Sequence, residues 1–330
     1  MDVAVSNKIR NMAFICACLV VYIHLGVVDS FGSPAWWFSQ IMAEGFCRIA
    51  VPYFFITSGL FCMRSYAVGK ITYGRLIRTK FYSLLVPYFL SCTLFVLFSK
   101  AMLMSSNAVA GRLITDNVWD VSQFLSWYGL VIREMPFCVP LWFLRTLFFL
   151  FVLSPMLVIF VKKFGIWFVF LMFVGDVLLG TSVELPILGW SALLYFSLGL
   201  WLFGQDLDSR GGRACLVLGI ALMAIATWGS FISCSYVQVL RKLSYPLLII
   251  AMWSLIPSHE WPKYLTKNAF PIYLIHWFVL SFLGALMPCA VNSVLGSVLK
   301  GMLGITISII IAELLRRMMP RFAKVLFGKR

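Results

Sequence analysis

A chain of 330 residues that is 62% hydrophobic and only 12% charged, with a mean hydropathy of +0.96, lies far from a soluble globular domain, where apolar residues make up about 45–50% and charged ones about 25%. The net charge of +15 would suit nucleic acid only on the exposed face of a soluble domain. Here the basic residues lie mainly between apolar runs, where membrane topology puts them, so the composition describes an integral membrane protein with length enough for a many-helix bundle.

The runs predict an all-α, polytopic transmembrane helix bundle of about ten spans, each cut near the about 17–25 residues a span needs. They cover 9–28, 42–63, 81–103, 139–161, 164–180, 187–204, 214–234, 244–257, 269–288 and 294–315, the eighth being short. The first reads as a retained span, since no small-residue cleavage site follows it before Ser33. An even count places both termini on one side. Most of the 27 Lys and Arg then fall on that side, in groups such as Arg64 to Lys80, Lys162 with Lys163, and Arg316 to Lys324, so the expectation is cytoplasmic termini in an inner membrane. The connections are short except on the outer side, where about 104–140 holds Asp116, Asp120, Glu134, Trp119 and Trp127; it reads as a surface-lying helix or as a cover over an outward cavity. No tandem repeat divides the chain, which reads as one membrane domain over 1–330. The nine cysteines form no CxxC pair and no cluster with histidine, so neither a metal site nor a disulfide framework is expected.

Ionisable residues inside the runs carry the functional signal, because lipid makes them expensive. Arg10 stands at the entrance of the first run and His24 near its far end. Glu44 and Arg48 are four apart at the outer start of the second, a spacing that puts them on one helix face. Arg145 lies in LWFLRTLFF just after Trp142, and His276 in IYLIHWFV. Each also has a structural reading: an interfacial histidine, a surface ion pair, a snorkelling arginine, a helix–helix hydrogen bond. His24, Arg48 and Arg145 fall at similar outer depth, which suggests one polar cavity. Arg241 and Lys242 read as two solvated loop cations or, alternatively, as part of its rim.

Several segments, in order along nearly the whole chain, resemble the membrane acyltransferase-3 family: VVYIHLG, VPYFFITSGLF, RTKFYSLLVPYF, PLWFLRTLFF and TKNAFPIYLIHWFV. The resemblance implies O-acylation of surface or lipid-linked saccharides by acyl-CoA, with acyl-CoA, glycan and membrane lipid as partners, no permanently bound cofactor and no metal. His24 takes the place of the family's essential histidine. The family's arginine, separated from that histidine by ten intervening residues, is replaced by Ala13, and Arg10 stands one turn lower. In this reading His24 is the general base, a role that suits imidazole near neutral pH. Arg48, Arg145, Glu44, Trp142 and His276 are candidates for the oxyanion or the acceptor. Arg10, Arg75, Arg78 and Lys80 are candidates for acyl-CoA phosphates. Helical rise separates Arg10 from His24 by about 21 Å, roughly the reach of a pantetheine arm. An exporter of the same fold, without acyl transfer, is the competing reading, although the paired broken helices that mark transporters are not evident.

Overall fold

The computed structural model describes residues 3–25, 31–69, 72–104, 125–129, 135–180, 187–203, 205, 211–232, 236–287 and 293–328. Most of the long connection at 104–140, with Asp116, Trp119, Asp120 and Glu134, lies outside these residues. Every element among the described residues is helical: α1 (Val3–Ile23), α2 (Pro34–Phe38), α3 (Ala50–Ala67), α4 (Tyr73–Lys80), α5 (Val86–Met104), α6 (Trp142–Phe164), α7 (Ile166–Leu178), α8 (Trp190–Leu202), α9 (Gly212–Phe231), α10 (Val237–Leu255), α11 (Lys263–Thr266), α12 (Ala269–Leu286), α13 (Val294–Met318) and α14 (Pro320–Phe327).

Seven helical runs are long and apolar enough to cross a membrane, and α7 and α8 are shorter apolar helices. With α10, each of the ten apolar runs coincides with a helix. Large apolar side chains such as Trp167, Val217 and Leu295 stand exposed, an arrangement that lipid accommodates and water does not. This is a multi-pass membrane protein. Boundaries differ from expectation in three places. Helix α1 ends at Ile23 rather than 28, which leaves His24 in the closing turn. The presumed basic loop before 81 is largely α4, which runs through a π-helical turn, Phe81–Leu85, into α5. The eighth run is a full helix of 19 residues, because α10 starts at Val237 and takes Arg241 and Lys242 into itself.

Contacts divide the chain into two compact units, Met1–Phe54 with Gln205–Ala312, and Phe55–Gly204 with Glu313–Arg330. In the first, α1 packs on α12. Ala17, Val21 and Leu25 make one stripe and Ile272 and Leu280 the facing one, spaced by four as neighbours on a helix face must be. The lower end of α1 is tied to the segment that follows α10. Asn7 Nδ2 donates to the Ser258 carbonyl, and Asn11 Nδ2 to those of Pro257 and His259. Lys8 Nζ donates to the Trp253 carbonyl at 3.0 Å, occupying an acceptor in the last turn of α10 that the helix itself cannot use.

In the second unit, α3 and α8 meet through glycine. A Cβ on Gly59 would lie 2.1 Å from the Phe196 carbonyl oxygen, and one on Gly199 2.0 Å from that of Ile56. Small residues permit such backbone contact between membrane helices. Pro155 sits inside α6 and cannot donate to the Phe151 carbonyl; the Ser154 hydroxyl does so instead, at 2.7 Å. Helix α14 lies against α5 and buries Ala323, Leu326 and Phe327.

Candidate functional site

His276 occupies the middle of the buried stripe of α12, four residues from both Ile272 and Leu280. It is fully buried. Its Nδ1 lies 2.7 Å from the Tyr273 carbonyl oxygen and 3.1 Å from that of Ile272. Carbonyls only accept, so Nδ1 carries the proton and Nε2 presents a lone pair. That Nε2 has no hydrogen-bond partner among the described residues, an exception among buried polar atoms that calls for an explanation.

His24 faces it. The amide of His24 closes α1 on the Val21 carbonyl at 3.2 Å, a tight i to i+3 turn that keeps residue 24 on the side of Val21. The two imidazole centroids are 5.4 Å apart, and the Trp277 ring stands edge-on to His24 at 5.3 Å. An N–H···N bond between two imidazoles sets their centroids about 5 Å apart, so a small rotation brings the pair together. Among the described residues, no third His, Cys, Asp or Glu joins them as a metal-binding group.

A cationic cluster adjoins the pair. Ser33 caps α2, its hydroxyl accepting from Trp36 N at 3.1 Å. Helix α2 then passes into a π-helical turn, Ser39–Ala43, and after Gly45 into a 3-10 turn, Phe46–Ile49. Gly45 is required there, since a Cβ would lie 2.6 Å from the Ile41 carbonyl oxygen. Glu44 and Arg48 therefore do not share a regular α-helix, yet they pair as their spacing predicted, at 2.8 Å, with both side chains partly exposed. The 3-10 turn that carries Arg48 packs against α1, the helix that His24 closes. Arg241 is not the loop cation expected. It is buried in the second turn of α10 and donates to Ser230 Oγ at 2.9 Å and Gln40 Oε1 at 3.4 Å.

A family model described as an acyltransferase domain, of the acyltransferase-3 type, matches residues 8–313, most of the chain. The protein belongs to the acyltransferase-3 family. No curated protein and no solved structure matches it. The chain is thus a membrane acyltransferase that transfers groups other than amino-acyl groups.

The acyltransferase places its other candidate residues as follows. Arg10 is two turns into α1 rather than at its entrance, and it is engaged: Nη1 lies 3.5 Å from Glu260 Oε1, and Nη2 donates to Asn7 Oδ1 at 3.3 Å. Arg75 and Arg78 are exposed on α4, and three residues apart they share a face. Lys80 turns its ammonium over the Phe151 ring, 4.1 Å from the centroid. These belong to the second unit, as do Trp142, whose ring is 6.2 Å from that of Phe55, and Arg145, which is buried and donates from Nη1 to the Gly129 carbonyl. Among the described residues, Asp176 and Lys300 are buried charges not singled out from sequence. Asp176 accepts from the Ser191 hydroxyl at 2.9 Å. Arg241 was legible in one signal: Val237, Arg241, Ser244, Tyr245 and Leu248 follow helical spacing, and all are buried.

Proposed function

We propose that this acyltransferase moves an acyl group, typically acetyl, from cytoplasmic acyl-CoA to a hydroxyl of a cell-surface or lipid-linked saccharide. His24 is the general base and His276 fixes its tautomer. The observation that carries the reading is the buried Nε2 of His276, which has no hydrogen-bond partner among the described residues, on a ring whose centroid lies 5.4 Å from that of His24. Its lone pair accepts N–H from His24 and thereby leaves the other nitrogen of His24 bare, the arrangement a base needs. The role given to His276 is therefore that of an acceptor, and the oxyanion falls to a cation or N–H donor.

The acceptor oxygen attacks the thioester carbonyl carbon as His24 takes the hydroxyl proton. The tetrahedral oxyanion then collapses, the C–S bond breaks, and His24 returns the proton to the departing thiolate. Arg48 is assigned to the oxyanion, because the 3-10 turn that carries it packs against α1 and a fixed cation at a developing negative charge is a large catalytic term. Arg75 and Arg78, exposed on one face of α4, suit CoA phosphates through their planar donor forks. Lys80 adds charge to that helix. Arg10 takes part only by exchanging Glu260 for phosphate. The distribution of Lys and Arg supports a cytoplasmic membrane with both termini inside.

The test is His24→Ala, with abundance and insertion matched to wild type, read as ester-linked acyl groups on surface glycans and as acyl-CoA consumed by purified protein. Loss of both is expected. Unchanged acylation overturns the assignment.

A further inference from the structure

Arg241 has a surplus that its protein neighbours do not absorb. It lies on the inward stripe of α10 and is 5% exposed. Its two hydrogen-bond partners, Ser230 and Gln40, are neutral, and the Gln40 contact is long. Its Nε–H has no acceptor among the described residues. The carboxylate whose charge reaches it, Glu44, is held by Arg48 through both oxygens at 2.8 Å. Among the described residues, Arg241 therefore has no carboxylate in contact with it. A guanidinium withdrawn from water at this depth is costly unless an anion meets it, and a donor left empty on a buried side chain adds to that cost.

The surroundings suit an incoming ligand. The π-helical turn puts Gln40 and Glu44 four residues apart, both turned to the arginines, and such turns are frequent at functional sites. Glu44 and Arg48 are partly exposed while Arg241 is buried, so the cluster leads from the surface inward. The 3-10 turn that carries Arg48 packs against both α1 and α10, which sets this cluster beside the helix that His24 closes.

We infer that Arg241, with Gln40 and Ser230, forms a subsite for an anionic group, a carboxylate or a phosphate, carried by the acyl acceptor. The group accepts from Nε–H and displaces the long Gln40 contact, since guanidinium favours such oxyanions through charge-assisted hydrogen bonds. The inference rests on the reading that a saccharide acceptor approaches His24, and it narrows that acceptor to acidic or phosphate-linked sugars.

Binding tests it without acyl transfer. Full-length protein in nanodiscs of neutral lipid is titrated with glucose, glucuronate and a polyprenyl-phosphate-linked glucose. Expected is affinity for at least one anionic probe about tenfold or more above that for glucose, with the difference removed by Arg241→Gln and partly kept by Arg241→Lys. Preference for glucuronate identifies a sugar carboxylate; preference for the lipid-linked probe identifies a linking phosphate. Should Arg241→Gln fail to insert, the wild type decides: inorganic phosphate must displace the anionic probe at matched ionic strength, and must leave glucose binding unchanged. Equal affinity for all three probes, a preference that survives Arg241→Gln, or no displacement by phosphate overturns the inference. Anion binding without any acyl transfer would leave this subsite standing and overturn the catalytic proposal; transfer to neutral sugars without anion preference would do the reverse.

Discussion

The two buried arginines, Arg145 and Arg241, sit in the first two turns of apolar helices and meet their surroundings differently. Arg145 donates to the Gly129 carbonyl, a main-chain oxygen with no rotamer to give up. In the same unit the buried Asp176 is held by Ser191. Arg241 is bonded instead to two neutral side chains, Ser230 and Gln40; among the described residues a bare Nε–H is common to both arginines, and His276 in the unit of Arg241 keeps a bare Nε2. A partner fixed in the backbone marks a charge that serves the fold. A charge met only by neutral, rotatable side chains, and the uncommitted Nε2 of His276 in the same unit, mark a place prepared for something that arrives later.

Removing the base should have the largest effect. His24→Ala should lower acyl transfer by about 10²–10⁴-fold, measured as turnover by purified protein whose thermal unfolding matches wild type. Next comes His276→Gln, which keeps a polar side chain but places an amide donor or a rotated oxygen where the lone pair was. Turnover should fall by about 10²-fold with unfolding little changed, and a wild-type rate would show that the bare Nε2 serves no catalytic purpose. Arg145→Gln addresses the other side of the contrast: a lost charge-assisted hydrogen bond should cost about 1.5–3 kcal/mol of stability, seen as a lower unfolding temperature, whereas Arg241→Gln should unfold near wild type. Equal destabilisation by the two would erase the distinction. The smallest change is expected from Glu44→Gln. Its ion pair is about two-fifths exposed on each side, so solvent screening limits the stability loss to about 0.2–1 kcal/mol, measurable by denaturant titration and reduced by salt.

The ten helices were legible because each is a long apolar run, and hydropathy reports lipid exposure directly. The boundaries were not. The eighth run was cut short at residue 244 because Arg241 and Lys242 lower local hydropathy, although a helix continues through a buried arginine without difficulty. The turn after Ile23 and the π and 3-10 turns at 39–49 depend on packing that no single-segment pattern encodes. His24 and His276 were both visible as ionisable residues in apolar surroundings. Their meeting was not, since 252 positions separate them and only the docking of α1 on α12 brings the rings together. Arg145 announced its burial through aromatic neighbours, while Arg241 hid behind an adjacent lysine that made the pair look like a topology signal. The arrangement of its donors was beyond sequence altogether.

The seam where Gly59 and Gly199 bring α3 and α8 into main-chain contact also limits how this half of the enzyme can change over time. The obstacle to a larger residue at either position is a carbonyl oxygen, which no second substitution can shrink. Compensation by a partner mutation is therefore closed off, and both sites are confined to glycine for as long as the helices stay docked. Variation that alters acyl or acceptor preference has to accumulate elsewhere, with these two helices behaving as one beam.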